Sequence, residues 1–214
     1  MKIAKEGWKF VGIGLAAAVG GWLVGTHTRF FQPGAQLAAL GLAFSAFCAF
    51  FFRDPDRPLP ADPERVYSPG DGQVLSVARE GPGDVTTVRI FLSLFDVHVQ
   101  RLPCSGLVNM VRYQPGSFAL AMKDEARQNE RSVVRVAVEG RGEVSFEQIA
   151  GFVARRIVCR AVEGMRAVAG DRYGVIHFGS QAAVHLPASA RPLVRPGDKV
   201  VGGVTAIAQW TPRS

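Results

Sequence analysis

Two charge-free apolar runs open the chain, Phe10 to Gly25 and Gly34 to Phe52, separated by the polar break Thr26-His27-Thr28-Arg29. Each run is close to the minimum length for a bilayer span. Lys2, Lys5 and Lys9 precede the first, and Arg53 follows the second. Basic residues at both outer ends favour a helical hairpin whose two ends lie in the cytoplasm. A pair of shallow or re-entrant helices is the alternative, because the first run is short and rich in glycine. No small-x-small site precedes a polar mature start, so a cleaved signal peptide is not expected. His27 reads as an interfacial loop residue.

Past Arg53 the pattern changes. Arg53-Asp-Pro-Asp-Arg-Pro-Leu-Pro is a linker or an extended lead-in. Apolar and polar positions then alternate over short runs bounded by turn residues, the signature of strands. The runs are Gln73–Val77, Thr86–Leu92, Gly106–Tyr113, Val133–Val138, Glu143–Ile149, Tyr173–Phe178, Ala182–Leu186 and Val200–Ala208. Phe118–Arg131 and Val153–Val162 have a helical look. The expected fold is mainly β, a compact barrel or sandwich with a few short helices, behind an N-terminal hydrophobic helical hairpin. The expected domains are a membrane-associated segment, 1–53, and a β domain, 54–214.

Composition adds a charge of +7 and a pI near 9.8. Basicity of this size suits an anionic partner, nucleic acid or an anionic bilayer surface. No finger spacing, aromatic RNP strand or basic helix is present, which speaks against nucleic acid. Cys48, Cys104 and Cys159 are odd in number and far apart, so neither a disulfide framework nor a zinc site is expected. Cys104 and Cys159 read as packing residues.

The candidate chemistry is spread along the β part. Asp71 sits in Gly70-Asp71-Gly72, where Asp-Gly is commonly just a hairpin turn but could carry a carboxylate that orients a histidine. His98 ends the stretch Phe95-Asp96-Val97-His98; it is a core histidine or a proton carrier. Gly179-Ser180 lies between two strand-like runs and reads first as a bulge or tight turn. Asp71, His98 and Ser180 together could form a Ser-His-Asp constellation, giving a membrane-anchored serine hydrolase, although Gly-x-Ser-x-Gly is absent. Met122-Lys123 and Asp198-Lys199 raise a lipoyl-like carrier or scaffold domain; both lysines read as solvated, and the Val194–Ala208 segment serves as a fold hint. His177 could face a site from its strand but reads first as a strand-surface residue, and His185 lies on the far side of Ser180.

Six segments, taken in order, change the balance. They are Phe51-Phe-Arg-Asp-Pro-Asp-Arg, Ser68-Pro-Gly-Asp-Gly, Phe95-Asp-Val-His-Val-Gln-Arg-Leu-Pro, Asn129-Glu-Arg, Gly170-Asp-Arg-Tyr-Gly-Val-Ile-His-Phe-Gly-Ser and Pro196-Gly-Asp with a later Gly-Gly. Behind an apolar N-terminus they resemble the short, membrane-associated branch of the phosphatidylserine decarboxylases, a pyruvoyl-dependent family. The resemblance covers nearly all of the soluble part.

That resemblance implies a proenzyme that cuts itself between Gly179 and Ser180. Ser180 Oγ attacks the Gly179 carbonyl to give an ester. β-Elimination frees the Gly179 carboxylate and leaves dehydroalanine, and hydrolysis with loss of ammonia yields an N-terminal pyruvoyl group at position 180. The products are a β chain (1–179) and an α chain (180–214), held together as a heterodimer, with a higher oligomer left open. The covalent pyruvoyl group is the cofactor; it forms a Schiff base with the serine amine of phosphatidylserine and takes up electrons as CO₂ leaves, giving phosphatidylethanolamine. No metal is implied. The expected location is the cell membrane, with the catalytic domain on the cytoplasmic side against an anionic leaflet. Asp71 and His98 match acid–base positions of the family. Where the longer branch has a second histidine this chain has Arg101, so His98 takes both tasks or Arg101 and His177 contribute. The longer branch has Leu-Gly-Ser-Thr at the cut, whereas Phe178-Gly-Ser-Gln fits the short branch.

Overall fold

The computed structural model describes residues 2–28, 30–80, 84–119, 128–151, 156–177 and 180–212, and at position 180 the backbone only. Met1–Asp56 forms one unit and Arg57–Ser214 another.

In the first unit, β1 (Lys2–Ile3) pairs antiparallel with β2 (Arg53–Asp54) and closes a hairpin of α1 (Trp8–His27) and α2 (Phe31–Phe51). Arg53-Asp54, expected within a linker, is therefore part of this closure. Each helix is long and apolar enough to cross a bilayer, at about 30 Å for some 20 residues. The glycines form the seam between the helices. A methyl group on Gly14 would lie 2.8 Å from the Gly41 carbonyl, and one on Gly41 would lie 2.6 Å from the Ala18 nitrogen. Ser45 Oγ donates to the Val11 carbonyl across the same seam. Small residues let the backbones approach where lipid offers no hydrophobic drive for association. Trp8, Ile13, Trp22, Leu40 and Leu42 remain exposed on the outside. The first helix runs past the expected break to His27, and Thr26 and Thr28 cap it by donating to the Trp22 and Val24 carbonyls.

The second unit contains β3 (Arg65–Tyr67), β4 (Gly72–Arg79), β5 (Thr86–Leu92), β6 (Val99–Arg101), β7 (Gly106–Gln114), β8 (Arg131–Val138) and β9 (Gly142–Ala150). It continues through β10 (Ile157–Cys159), β11 (Arg166–Ala167), β12 (Arg172–Ile176), β13 (Ser180–Leu186), β14 (Ala190–Pro192), β15 (Lys199–Val200) and β16 (Ala206–Trp210). An eight-stranded sheet has the order β11-β7-β8-β9-β13-β5-β4-β15, and two three-stranded sheets run β10-β12-β6 and β14-β16-β3. Among the described residues every strand pair is antiparallel. The mainly β architecture behind an apolar helical hairpin is the one expected from the sequence.

Alternation explains the large sheet. Val88, Ile90 and Leu92 of β5, Val144 and Phe146 of β9, and Ala182, Val184 and Leu186 of β13 face one way and form the core. Thr87, Arg89, Glu147 and His185 occupy the intervening positions and face the other way. There Glu147 bonds to Arg131 and His185, and His185 Nδ1 lies 2.8 Å from Thr87 Oγ1. Burial pushes the Glu147 carboxyl up, but the His185 hydrogen bond and the charges of His185, Arg131 and Arg89 outweigh it and leave the group below its ordinary value. A depressed carboxylate contributes stability that is present above the unfolded value of about 4.3 and lost as pH falls through the folded value. Thermal melts below about pH 5 should therefore show acid destabilisation in the parent chain that is smaller in Glu147→Gln; equal acid slopes in the two would contradict this account.

Two expectations change, and most of a third lies outside the described residues. Residues 157–159, expected within a helix, form β10, because the β-branched pair Ile157-Val158 finds a partner in β12. Residues 152–155 of that expected helix lie outside the described residues. So do 120–127 of the expected helix Phe118–Arg131, whose last residue opens β8. The single strand expected at Val200–Ala208 is broken after Val200 by a turn with Gly203 at φ +71°, and resumes at Ala206. Among the described residues of the second unit there is no α-helix.

Candidate active site

β12 and β13 do not pair with each other. β12 belongs to a three-stranded sheet and β13 to the middle of the eight-stranded one, so the chain crosses between sheets from Ile176 to Ser180. A second crossing runs beside it. β5 pairs with β13 in the large sheet, with Leu92 opposite Ser180, and β6 pairs with β12 in the small one, with Val99 opposite Val175. The segment from Leu92 to Val99 therefore makes the same passage, in the opposite sense, as the segment from Val175 to Ser180. Gly179 and Phe178 lie outside the described residues. The Ser180 backbone is held on both flanks, by Leu92 and by Ala150.

His98 sits on that second crossing. Asp96 shapes the turn, accepting from the Ser93 amide at 2.8 Å and the Ser93 hydroxyl at 2.7 Å. The His98 carbonyl accepts from the Ile176 amide at 3.3 Å, which ties the two crossings together. The ring is 1 % exposed, and its Nδ1 lies 3.0 Å from the Asp96 carbonyl. A carbonyl can only accept, so this bond puts the ring proton on Nδ1 and the lone pair of the neutral ring on Nε2. That tautomer is the one a general base requires.

Asp71 has different company. Arg57 grips both its carboxylate oxygens, at 2.7 and 2.8 Å, and the Gly202 amide donates to Oδ1 at 2.8 Å. Arg57 also donates to the Gly202 carbonyl, so three chain segments meet in one clamp. Gly70-Asp71-Gly72 is not a hairpin turn; it links β3 to β4, which lie in different sheets. Gly72 opens β4 at φ +157°, where an added Cβ would run into the Phe91 carbonyl. No hydrogen bond joins Asp71 to His98 among the described residues. The turn still reaches the same neighbourhood, because the Pro69 carbonyl accepts from the Arg101 amide and Gly70 packs on the Gln100 side chain.

The remaining candidates separate clearly. Arg101 is buried and donates to the Gly170 carbonyl, bracing the loop before β12. His177 is buried at the end of β12, not on a strand surface, and its amide donates to the Arg156 carbonyl. His185 belongs to the outer-face network with Glu147. Lys123 lies outside the described residues, and Lys199 is exposed at the start of β15, as a solvated lysine should be. Cys104 packs in the core, where burial pushes its thiol up to about 12, and Cys159 packs against that core. No group of three or more metal-binding side chains occurs among the described residues. Gln100, which lies within the Phe95–Pro103 segment, and Gln148 are fully buried, and neither was singled out in the sequence.

A family profile described as "Phosphatidylserine decarboxylase" matches residues 44–208. The chain belongs to the phosphatidylserine decarboxylase family. A protein of Symbiobacterium thermophilum named phosphatidylserine decarboxylase proenzyme is 44 % identical over 213 residues, covering 97 % of this chain and 95 % of that one. Proteins of the same name from Gluconacetobacter diazotrophicus and Paramagnetospirillum magneticum are 42 % and 40 % identical, over 83 % and 96 % of this chain and 83 % and 86 % of theirs. The phosphatidylserine decarboxylase profile begins inside α2 and ends within β16, so it spans both crossings, His98 and the 176–180 passage.

Proposed function

We propose that this chain is a proenzyme that cleaves itself between Gly179 and Ser180 and then decarboxylates phosphatidylserine to phosphatidylethanolamine. The observation that carries the reading is the pair of neighbouring crossings, which ties His98 to the passage into Ser180 in a member of this family. His98, with its lone pair on Nε2, is the base for the Ser180 hydroxyl and afterwards a proton donor. Asp71 is a positioning residue: its clamp with Arg57 and Gly202 holds the turn that packs on β6.

The site suits a covalent pyruvoyl group at position 180. Such a group is bound by its own peptide bond and presents carbonyl oxygens, and buried amide donors stand beside β13. When formed, it supplies a carbonyl that reacts with the substrate amine and draws electrons from the bond to CO₂. The fragments 1–179 and 180–214 stay together because β13, β15 and β16 of the second pair with β5, β9, β4 and β3 of the first. The two apolar helices anchor the chain in a bilayer, with the catalytic unit on the cytoplasmic side, and the basic charge favours an anionic leaflet.

A serine hydrolase triad gains no support, because Asp71 is occupied by Arg57 and Gly202. Intact mass with and without hydroxylamine tests the reading: two fragments meeting at 179/180, the smaller blocked and reactive toward the trap, are expected. One intact folded chain that ignores the trap would sink it. His98→Ala should slow processing or turnover by about 10²-fold or more, measured as fragment appearance and CO₂ release; parent rates in both would remove His98 from the mechanism.

A further inference from the structure

Three loops leave the large sheet at the end where β13 begins. Leu92 at the close of β5 pairs with Ser180, Gln73 near the start of β4 pairs with Phe91, and Val200 at the close of β15 pairs with Gly72. The loops before β4, after β5 and after β15 therefore share that end. Their contacts agree. A Cβ added to Gly70 would lie 3.2 Å from Leu92 Cδ2, and one added to Gly202 would lie 2.9 Å from Gly70 Cα.

Large apolar side chains stand exposed on these loops. Ser93–Asp96 is a tight turn in which the Asp96 amide donates to the Ser93 carbonyl at 3.0 Å, with Leu94 and Phe95 as its central pair. Phe95 is 75 % exposed, and Leu94 is exposed beside it. Turn centres are ordinarily filled by Gly, Pro, Asn, Asp or Ser. In the turn after β15 the Val204 and Thr205 amides donate to the Val201 carbonyl, and Val201 and Val204 are exposed. Leu59, 55 % exposed, joins that turn through Gly170. A Cβ on Gly170 would lie 3.3 Å from Leu59 Cδ2, and one on Gly203 would lie 3.5 Å from Gly170 Cα. Apolar side chains gathered at one end in this way mark an interaction surface, where single scattered ones would not.

The chain itself points to the occupant. Arg57 donates to the Gly202 carbonyl in this same turn and follows the last residue of α2 by six positions. Six extended residues span about 20 Å at most. The surface is thus on a short tether to α2, a helix long and apolar enough to cross a bilayer. We propose that Leu59, Leu94, Phe95, Val201 and Val204 form a docking surface that seats this end of the β unit in the interfacial layer of the bilayer. The inference rests on the membrane reading above and adds a second attachment to the helical anchor. Apolar side chains gain by leaving water for the headgroup–acyl boundary, and attachment grows with the area they bury. Docking there brings the crossings that carry His98 and Ser180 to the depth of a lipid head group.

Two measurements on the full chain in vesicles of phosphatidylcholine and phosphatidylglycerol test this. The first reads depth in Ser180→Ala chains, with a nitroxide on Phe95→Cys, Val204→Cys or Arg79→Cys and the unsubstituted chain as blank. Arg79 closes β4 at the opposite end of the sheet, with its side chain 78 % exposed. Labels at 95 and 204 should meet oxygen more, and a water-soluble nickel chelate less, than the label at 79. Equal nickel access at all three would overturn the proposal. So would spin–spin broadening at 95, which would mean that a second copy covers the surface. Phe95 and Val204 lie in separate turns, so misfolding of one chain leaves the other to decide.

The second measurement reads turnover. Leu94→Ser with Phe95→Ser should lose about tenfold on phosphatidylserine in vesicles and keep the parent rate on a dispersed short-chain phosphatidylserine. Equal loss on both substrates would assign the pair to the fold or the site, and no loss on either would remove it from docking; each overturns the proposal. If the parent never decarboxylates phosphatidylserine, the functional reading fails, while the label depths still decide the docking.

Discussion

Ser180→Ala should leave a folded chain of full length that releases no CO₂ from phosphatidylserine. The substitution removes the one atom that the proposed cleavage uses as nucleophile. It keeps the backbone groups by which β13 pairs with β5 and β9 on either side, so the ladder is unaffected. Loss of a covalent nucleophile leaves only what binding and positioned donors provide, and the expected fall in rate exceeds about 10⁴-fold. A gel reports the uncut chain, a melt reports the fold, and CO₂ release reports activity. A folded, uncut chain with normal turnover would mean that position 180 carries no essential group.

Asp71→Ala should destabilise the fold strongly, because it breaks a largely buried ion pair. Arg57 and Asp71 side chains are 11 % and 15 % exposed, so removing the carboxylate strands a guanidinium largely out of water and frees the Gly202 amide. Breaking one partner of such a pair costs about 3–5 kcal/mol, which for a unit of this size lowers Tm by roughly 10 °C. Replacing both partners by apolar residues, Arg57→Met with Asp71→Leu, should recover much of the loss. Asp71→Asn distinguishes the clamp from direct coupling to His98. If it melts like the parent but processes slowly, Asp71 acts on the chemistry; if both fall together, it acts through the turn that packs on Gln100.

The sequence by itself determined the elements that a repeating pattern encodes. Charge-free runs gave the helical hairpin, and alternation gave β5, β13 and most of the large sheet, because burial on one face imposes a period of two. Ordered short motifs carried the family and drew attention to Asp71, His98 and Ser180. Strands too short to show a period, such as β6 and β10, were not legible, and Ile157-Val158-Cys159 reads equally well in a helix until β12 supplies its partner.

The tertiary structure alone decided what each candidate touches. Local pattern shows strands before and after Gly-Ser; only the pairing of β12 and β13 with different sheets makes the chain pass from one sheet to the other between Ile176 and Ser180, and only β5 and β6 put His98 on the crossing beside it. Asp-Gly looks like a hairpin; only the arrival of Arg57 and Gly202 makes it a clamp. The burial of Gln100 and Gln148 without full hydrogen bonding is not legible in the sequence, since an unpaired amide is a property of what surrounds it. Local sequence sets backbone preference and periodicity, whereas partners distant along the chain are chosen by packing, and catalytic geometry is built from such partners.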